Sequence, residues 1–344
     1  MYRMKKIILI VSALMLVGTS AMAQFVIEKQ GGQTTEVDGN VIFSQDGTTG
    51  DYAVGETYDA ENSIGNVAAI YRKARTAEPP KVGDYYYSDG TWSDGGLVSI
   101  DADGLNPVWA EEKPAPIEGK TVIGIVFQTD PSRMAQSDKD AGYTRGYVMA
   151  TKFAHDSEKM TVYYASDYNF DCLKSAKLAS SWYSNVNGRA ETQTVIDEYQ
   201  DNLDAVPAFD LTVNKFTAAP ETSSGWFLPS TGQLWDMMAN LCGGGVAEIM
   251  KEWQTYDYDA TWYCSENVDY DVIAEINKTM EKVPDADKEL FPQGDGLHKY
   301  IGVMASTPYD AESCNIVNIG TDGLIELMCN WYDGDDYCRP ILAF

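Results

Sequence analysis

The stretch Gly225-Trp226-Phe227-Leu228-Pro229-Ser230-Thr231-Gly232-Gln233-Leu234-Trp235 contains the clearest local signal in the sequence. Ser230 followed three residues later by Gln233 is a capping box, in which the hydroxyl caps a backbone N–H and the amide side chain reaches back. The pattern predicts that a helix begins at Ser230 and carries Leu234, Trp235 and Met238 on one face.

Patterns on both sides of this helix start predict further helices and strands. Apolar residues at helical spacing occur at 191–203 and at 272–280. A run rich in valine and isoleucine predicts a buried strand at 121–127, and the apolar residues at 146–150 predict another. Near the end of the chain the period changes, which predicts four strands joined by short turns, at 300–305, 314–319, 324–331 and 337–344.

A β-hairpin is predicted at the start of this region. Tyr85, Tyr86 and Tyr87 precede the step Asp89-Gly90, and Trp92 follows it. An Asp-Gly step between aromatic residues favours a two-residue turn, because both central residues need positive φ. Such a turn places Tyr87 opposite Trp92.

Composition and charge narrow the class of protein. The chain has 344 residues, with 52 Asp plus Glu against 25 Lys plus Arg, and a net charge of −27. This surplus repels nucleic-acid phosphates and anionic lipid, so no nucleic-acid partner is expected. The two histidines, His155 and His298, are far apart in sequence and cannot supply a multi-histidine metal site. We therefore expect a globular protein that is not an enzyme.

Residues 1–23 have the order of a secretory signal peptide. Basic residues near the start precede the apolar run Ile7–Val17, and Ala21-Met22-Ala23 fits the cleavage site. A transmembrane helix needs roughly 20 apolar residues, so this run is too short to remain as an anchor. We expect cleavage before Gln24, no transmembrane segment in the mature protein, and export to the periplasm, the outer surface or the medium.

The mature chain is predicted to have a small leader and one larger domain. Residues 24–76 form a small β-rich N-terminal segment, because short β-prone runs alternate with turn residues. Residues 77–81 form a linker that contains Pro79-Pro80. The larger domain spans residues 82–344.

Five stretches of the larger domain occur in the order expected of a known module. They are Gly83–Trp92, Gly124–Phe127, Gly225–Leu234, Ala305–Thr307 and Arg339–Phe344. The domain thereby resembles the C-type-lectin-like modules of secreted or fimbria-associated surface proteins from anaerobic Gram-negative gut bacteria. The resemblance implies an α+β C-type-lectin-like fold, with two helices flanking small antiparallel sheets and with long loops where ligands bind. It implies no single activity, because the fold serves lectins, adhesins, phage receptor binders and an oxidase that produces formylglycine.

The six cysteines predict a disulfide near the end of an exported chain. A two-residue turn at Asp333-Gly334 sets Cys329 opposite Cys338, whereas a two-residue turn at Thr321-Asp322 sets Cys329 opposite Cys314. The first pairing, Cys329 with Cys338, is favoured because Asp-Gly is the stronger turn signal. Buried free thiols are the alternative.

An acidic loop, Asn330–Tyr337, joins the last two predicted strands. Its Trp331-Tyr332-Asp333 loosely resembles the Trp-Asn-Asp triplet of calcium-dependent lectins, with Tyr in the place of one ligand. Asp333, Asp335 and Asp336 are the candidate calcium ligands, and no other cofactor is expected. A solvated hairpin tip is the alternative interpretation.

Aromatic residues interleaved with carboxylates suggest a ligand-binding surface. The candidates are Trp253, Tyr256, Tyr258, Trp262, Tyr263, Trp331 and Tyr332. Half-buried scaffold is the alternative role for these rings.

The sequence thus predicts an exported, adhesin-like, non-enzymatic protein that binds a glycan or a surface protein through loops of the larger domain. A structural or assembly subunit of a fimbria or cell-surface complex is the first alternative. An uncharacterised enzyme on the same fold is the second. No catalytic residue is predicted.

Overall fold

The structure is a computed structural model that describes the strands between Gln24 and Arg72 and residues 79–100, 107–156, 160–166, 170–294 and 299–344. The chain divides into two compact units, Met1–Glu78 and Pro79–Phe344. The predicted signal peptide, residues 1–23, lies outside the described residues. Within the described ranges no helix is both long and apolar enough to cross a membrane.

The N-terminal unit contains short strands in two antiparallel sheets. The strands are β1 (Gln24–Lys29), β2 (Thr34–Asp38), β3 (Val41–Gln45), β4 (Gly50–Val54), β5 (Ser63–Ile64) and β6 (Val67–Arg72). One sheet has the order β2-β1-β6 and the other has the order β3-β4-β5.

The C-terminal unit combines antiparallel strands with helices. Its strands are β7 (Tyr85–Tyr87), β8 (Trp92–Ser93), β9 (Leu97–Ser99), β10 (Val108–Trp109), β11 (Val122–Gln128), β12 (Tyr147–Ala150), β13 (Ser265–Asn267), β14 (Tyr300–Pro308), β15 (Ser313–Gly320), β16 (Leu324–Trp331) and β17 (Ile341–Ala343). Its helices are α1 (Gln136–Asp140), α2 (Ala179–Ser184), α3 (Gly188–Glu198), α4 (Pro207–Asp210), α5 (Thr231–Leu241), α6 (Gly244–Trp253), α7 (Ala260–Tyr263) and α8 (Val272–Lys278). Short 3-10 turns lie at Pro131–Arg133, Leu203–Ala205 and Asp285–Asp287, and a π-helical turn lies at Leu211–Lys215. This mixture confirms the predicted α+β class.

The larger sheet has five strands in the order β17-β12-β11-β7-β8. All seven residues of the central strand β11 are buried, because the sheet is covered on both faces. Gly124 permits the close approach of β12: a Cβ at this position would lie 2.2 Å from Cγ1 of Val148. The β-branched and aromatic residues of β11 therefore form the middle of the unit.

The second sheet has four strands in the order β13-β16-β15-β14. Its long strands correspond to three of the four strands predicted near the end of the chain, at 300–305, 314–319 and 324–331. A strand does form within the fourth predicted range, 337–344, but the strand with which it pairs was wrongly predicted. The strand Ile341–Ala343 joins the five-stranded sheet, where Ala343 pairs with Tyr147, and does not return beside β16.

Two of the three hairpins for which a two-residue turn was considered, those at Asp89-Gly90 and Thr321-Asp322, have three-residue turns instead. Tyr86, not Tyr87, pairs with Trp92, and the turn consists of residues 88–90. Ile319 pairs with Ile325, so the turn between β15 and β16 consists of residues 321–323. Each turn ends in a glycine with positive φ, 79° at Gly90 and 91° at Gly323, as in a type I turn closed by a glycine bulge. The extra residue shifts each register by one.

The main predicted helix begins where expected. Ser230 is the N-cap of α5, and Oε1 of Gln233 accepts a hydrogen bond from the Ser230 N–H at 3.0 Å. The Ser230 hydroxyl donates to the carbonyl of Asn185 at 2.7 Å, which ties the helix start to the segment before α3. Leu234 and Met238 are fully buried. The helix predicted at 191–203 ends earlier, because α3 stops at 198 and a separate 3-10 turn follows.

The apolar core lies on both faces of each sheet of the C-terminal unit. The largest cluster packs α5, α6 and α8 against one face of each sheet. A second cluster, with Tyr164, Phe209 and Tyr332, covers the opposite face of the four-stranded sheet. A third, with Tyr86, Trp226 and Phe344, covers the opposite face of the five-stranded sheet. The two sheets therefore belong to one continuous core.

Arg339 is fully buried in this core, just before β17. Its guanidinium carbon lies 3.4 Å from the ring centroid of Phe153 and 4.2 Å from that of Phe291. The guanidinium donates to the carbonyls of Ala150 and Glu289 at 3.3 and 2.8 Å. Burial lowers the pKa of Arg339 to about 9. The side chain thus links the end of β12 to the last strand.

Candidate functional site: an exposed aromatic surface

Aromatic side chains are clustered and exposed at and before α7. Tyr258, Trp262 and Tyr263 are 59%, 79% and 65% exposed. The ring centroids of Tyr258 and Tyr263 are 5.6 Å apart, and the half-buried ring of Tyr256 lies 5.9 Å from Tyr258. These four residues are called the aromatic surface below. Large rings exposed together in this way are typical of a binding site.

The helix α7 directs its rings outward because its other face is anchored. Ala260 and the following Cys264 are 0% and 1% exposed, and positions four apart lie on the same face of a helix. Trp262 and Tyr263 fall between them and point to solvent. The backbone N–H of Ala260 donates to the carbonyl of Lys177 at 2.8 Å, which fixes the start of the helix.

Asp259 accepts hydrogen bonds that fix the backbone carrying the aromatic surface. Its Oδ1 accepts hydrogen bonds from the Thr261 backbone at 3.1 Å and from the Thr261 hydroxyl at 2.8 Å, as an N-cap does. Its Oδ2 accepts from the Tyr309 hydroxyl at 2.9 Å. The backbone of Tyr258 also accepts from the N–H of Ala179 at 3.0 Å. The rings therefore stand on a fixed backbone, which lowers the entropic cost of binding.

The segment that contains the aromatic surface is acidic. Between residues 252 and 277 there is no lysine or arginine, and the carboxylates are Glu252, Asp257, Asp259, Glu266, Asp269, Asp271 and Glu275. At the border, the Lys177 ammonium lies 4.3 Å from the ring centroid of Tyr309 and 3.9 Å from Asp310. The negative potential of the segment favours cationic or hydroxyl-rich ligands over anionic ones.

The pKa of Tyr256 is raised by one of these carboxylates. Its hydroxyl donates to the Glu252 carboxylate, and this hydrogen bond raises the pKa of Tyr256 to about 12. The phenol therefore stays neutral and keeps its proton available to Glu252 at physiological pH.

The structure separates the predicted aromatic set into three groups. Tyr256, Tyr258 and Tyr263 come together, and Trp262 is exposed beside Tyr263 on α7. Trp331 is 57% exposed at the end of β16, but in the described part of the chain no ring contact joins it to the others. Trp253 and Tyr332 are 3% and 0% exposed, so their assignment to a ligand site is wrong. Tyr332 instead stacks on Tyr164, with ring centroids 4.9 Å apart.

The acidic loop does not bring its aspartates together as calcium ligands. Among the described residues no group of three or more His, Cys, Asp or Glu side chains could hold a metal ion. Asp336 is 5% exposed and accepts a hydrogen bond from the Asn330 amide at 2.9 Å. Burial raises the pKa of Asp336 to about 6. The predicted site of Asp333, Asp335 and Asp336 fails because Asp336 turns into the protein.

The predicted Cys329–Cys338 bond is absent, since all six cysteines, each within the described residues, are free. The hairpin on which the prediction rested does not form, because the strand after Cys338 joins the other sheet. The competing pair fails for a different reason. Cys314 pairs with Asn330 in the ladder and Asn315 pairs with Cys329, so the two thiols lie on opposite faces of the sheet.

A buried ion pair beside α5 was not predicted from the sequence. Nε of Arg133 donates to both carboxylate oxygens of Asp236, at 3.1 and 3.0 Å, and Nη2 donates to Oδ1 at 2.9 Å. The guanidinium carbon also lies 3.8 Å from the ring centroid of Tyr183. Burial raises the pKa of Asp236 to about 6, although Arg133 acts to lower it. Arg133 and Asp236 are 103 residues apart, so no local pattern could have revealed the pair.

A comparison with solved structures finds a similarity between this chain and a fimbrial protein. The chain is similar to a fimbrial protein from Bacteroides ovatus, at 13% sequence identity and a TM-score of 0.45. The similarity covers 94% of this chain and 64% of that protein, so the chain spans less than two thirds of that protein's length. No family model matches the sequence, and no curated protein matches it. Fold and site together define an α+β protein with antiparallel sheets and an exposed aromatic surface on an acidic segment.

Proposed function

We propose that this chain is an exported, non-enzymatic protein that recognises a glycan or a protein partner through the aromatic surface. The observation that carries the proposal is the exposure of Tyr258, Trp262 and Tyr263 on an anchored helix. Rings in water beside carboxylates suit stacking on a sugar and recognition of its hydroxyl groups, and they suit a protein interface as well.

The architecture proposed for the C-terminal unit is C-type-lectin-like. Three of the sequence landmarks support this assignment by their position in the core. Gly83–Trp92 contains the β7–β8 hairpin, Gly225–Leu234 leads into α5, and Arg339–Phe344 contains β17. In this fold the site of recognition is separate from the core, as the aromatic surface is here.

The second candidate is a structural or assembly subunit of a fimbria or another cell-surface complex. The observation that favours it is that β13, directly after α7, lies at the edge of its sheet. An edge strand beside exposed rings suits contact with a neighbouring subunit. An enzyme on the same fold is the remaining candidate, and no catalytic residue is proposed.

The test uses the secreted chain and two variants. Trp262→Ala removes the most exposed ring of the aromatic surface, and Trp331→Ala removes an exposed ring on β16 that makes no ring contact with it among the described residues. On a glycan array and in co-purification with fimbrial shafts, we expect only Trp262→Ala to weaken binding. Binding that is unchanged by Trp262→Ala, or equally weakened by Trp331→Ala, would exclude the aromatic surface as the site.

A further inference from the structure

The strand β13 has an open edge. It is the outermost strand of the four-stranded sheet, and its three residues are all exposed. Backbone hydrogen bonds made by Cys264 and Val268 to the adjacent hairpin fix the register. Because bonded residues alternate along an antiparallel strand, Glu266 uses its backbone groups on β16, whereas Ser265 and Asn267 direct theirs outward. These outward groups have no hydrogen-bond partner among the described residues.

The open edge directly follows the exposed rings in sequence. Only Cys264 separates Tyr263 from Ser265, and Trp262 is one residue further back. A strand added to β13 would therefore run beside two rings that lie largely in water. Aromatic rings bind the cationic groups of arginine and lysine through their faces.

The charge of the segment selects among the strands that could add to this edge. Glu266 is at the centre of β13, and the nearest residues that carry charge in the same stretch are all acidic. A second copy of this chain, with its net charge of −27, is repelled, and so is any acidic strand. A basic strand is attracted and pairs with Glu266.

We infer that β13 and the aromatic surface bind an extended basic segment of a partner protein, which adds to the sheet as a further strand. The inference rests on the proposed function and names the class of partner for the same surface. Backbone bonds from Ser265 and Asn267 supply the pairing, while Trp262, Tyr263 and Glu266 select for arginine or lysine.

Synthetic peptides test the inference on the whole secreted chain. The probes are a decapeptide of alternating arginine and threonine, its counterpart with glutamate in place of arginine, and two copies of the basic peptide. In one copy the backbone nitrogens of every second residue are methylated, and in the other copy those of the remaining residues are methylated. We expect the basic peptide to bind, the acidic peptide to fail at 1 mM (about the limit of a specific weak contact), and only one methylated copy to lose binding.

Two pairs of protein variants complete the design. Trp262→Ala should weaken binding of the basic peptide about 2- to 5-fold, as expected for an exposed cation–π contact, and Trp331→Ala should not. Glu266→Lys should weaken binding more than Glu221→Lys, which makes the same change of net charge at another exposed position. The circular dichroism of each variant shows that it folds.

The outcomes separate the inference from the proposed function. Equal binding of both methylated copies would show electrostatic attraction without strand addition and would overturn the inference. Absence of binding to the basic peptide would also overturn it. If a glycan then binds in a manner that requires Trp262, the proposed function stands, and if no ligand does, both fail.

Discussion

Replacing Arg133 with methionine should destabilise the C-terminal unit far more at pH 8 than at pH 5. Methionine keeps an apolar stem of similar length but removes the charge that faces Asp236. Asp236 is only 5% exposed, so its carboxylate would be left buried without a counter-ion. Removing one partner of a buried ion pair costs about 3 to 5 kcal/mol.

The pH dependence follows from the pKa of Asp236, which burial raises from 3.8 to about 6. A carboxyl group with a raised pKa stabilises the folded state while it is protonated. That contribution is lost as the pH rises from about 4 through 6. Because Arg133 lowers this pKa, the variant has a still higher value and continues to lose stability above pH 6. The difference from wild type therefore widens by up to about 1.4 kcal/mol for each further pH unit.

Urea unfolding followed by tryptophan fluorescence at pH 5 and pH 8 measures this difference. The double variant Arg133→Met, Asp236→Leu is the control, because it removes both charges and should recover most of the stability at pH 8. An equal loss at both pH values would refute the reasoning. A double variant as unstable as the single one would show that lost packing, and not the unpaired carboxylate, causes the effect.

Other predictions concern stability and covalent state. Ser230→Ala should cost about 1 kcal/mol, because the backbone carbonyl of Asn185 loses the hydrogen bond that the hydroxyl donates. Trp226→Ala should cost about 3 to 5 kcal/mol through lost core packing. Denaturant melts compare the two variants, and a milder effect of Trp226→Ala would contradict this order. Six thiols should be alkylated after unfolding without reductant, and mass spectrometry showing four would reveal a disulfide. Intact-mass analysis of exported protein should show cleavage between Ala23 and Gln24, and retention of residues 1–23 in the major species would contradict this.

The positions of helices and strands could be predicted well where local chemistry decides them. The capping box placed the start of α5, and the apolar runs placed the long strands of the four-stranded sheet. The registers could not be predicted as well, because Asp-Gly fits two turn types. In the sequence, Ser88-Asp89-Gly90 and Thr321-Asp322-Gly323 have the same form, and both prove to be three-residue turns. That shared form was the signal that could have corrected both registers.

The sequence predicted which types of residue form the candidate site, but not which individual residues belong to it. Alternation of rings and carboxylates pointed to Tyr258, Trp262 and Tyr263, which are exposed. The same pattern pointed to Trp253, which is buried, because α6 turns that residue into the core. Tyr332 is buried by rings that lie far away in sequence. Burial of this kind depends on tertiary contacts and leaves no local trace.

The pairing of β17 with β12 has a consequence for folding kinetics. Arg339, which precedes β17, donates to the carbonyl of Ala150, 189 residues earlier in the chain. Such contacts give the unit a high contact order. The entropic cost of closing so long a loop arises before the contact can stabilise the folded state. We expect the five-stranded sheet to be the last part to form, with refolding much slower than that of a helical protein of equal length. Until β17 pairs with it, the outer edge of β12 stays unpaired and can pair with a wrong strand.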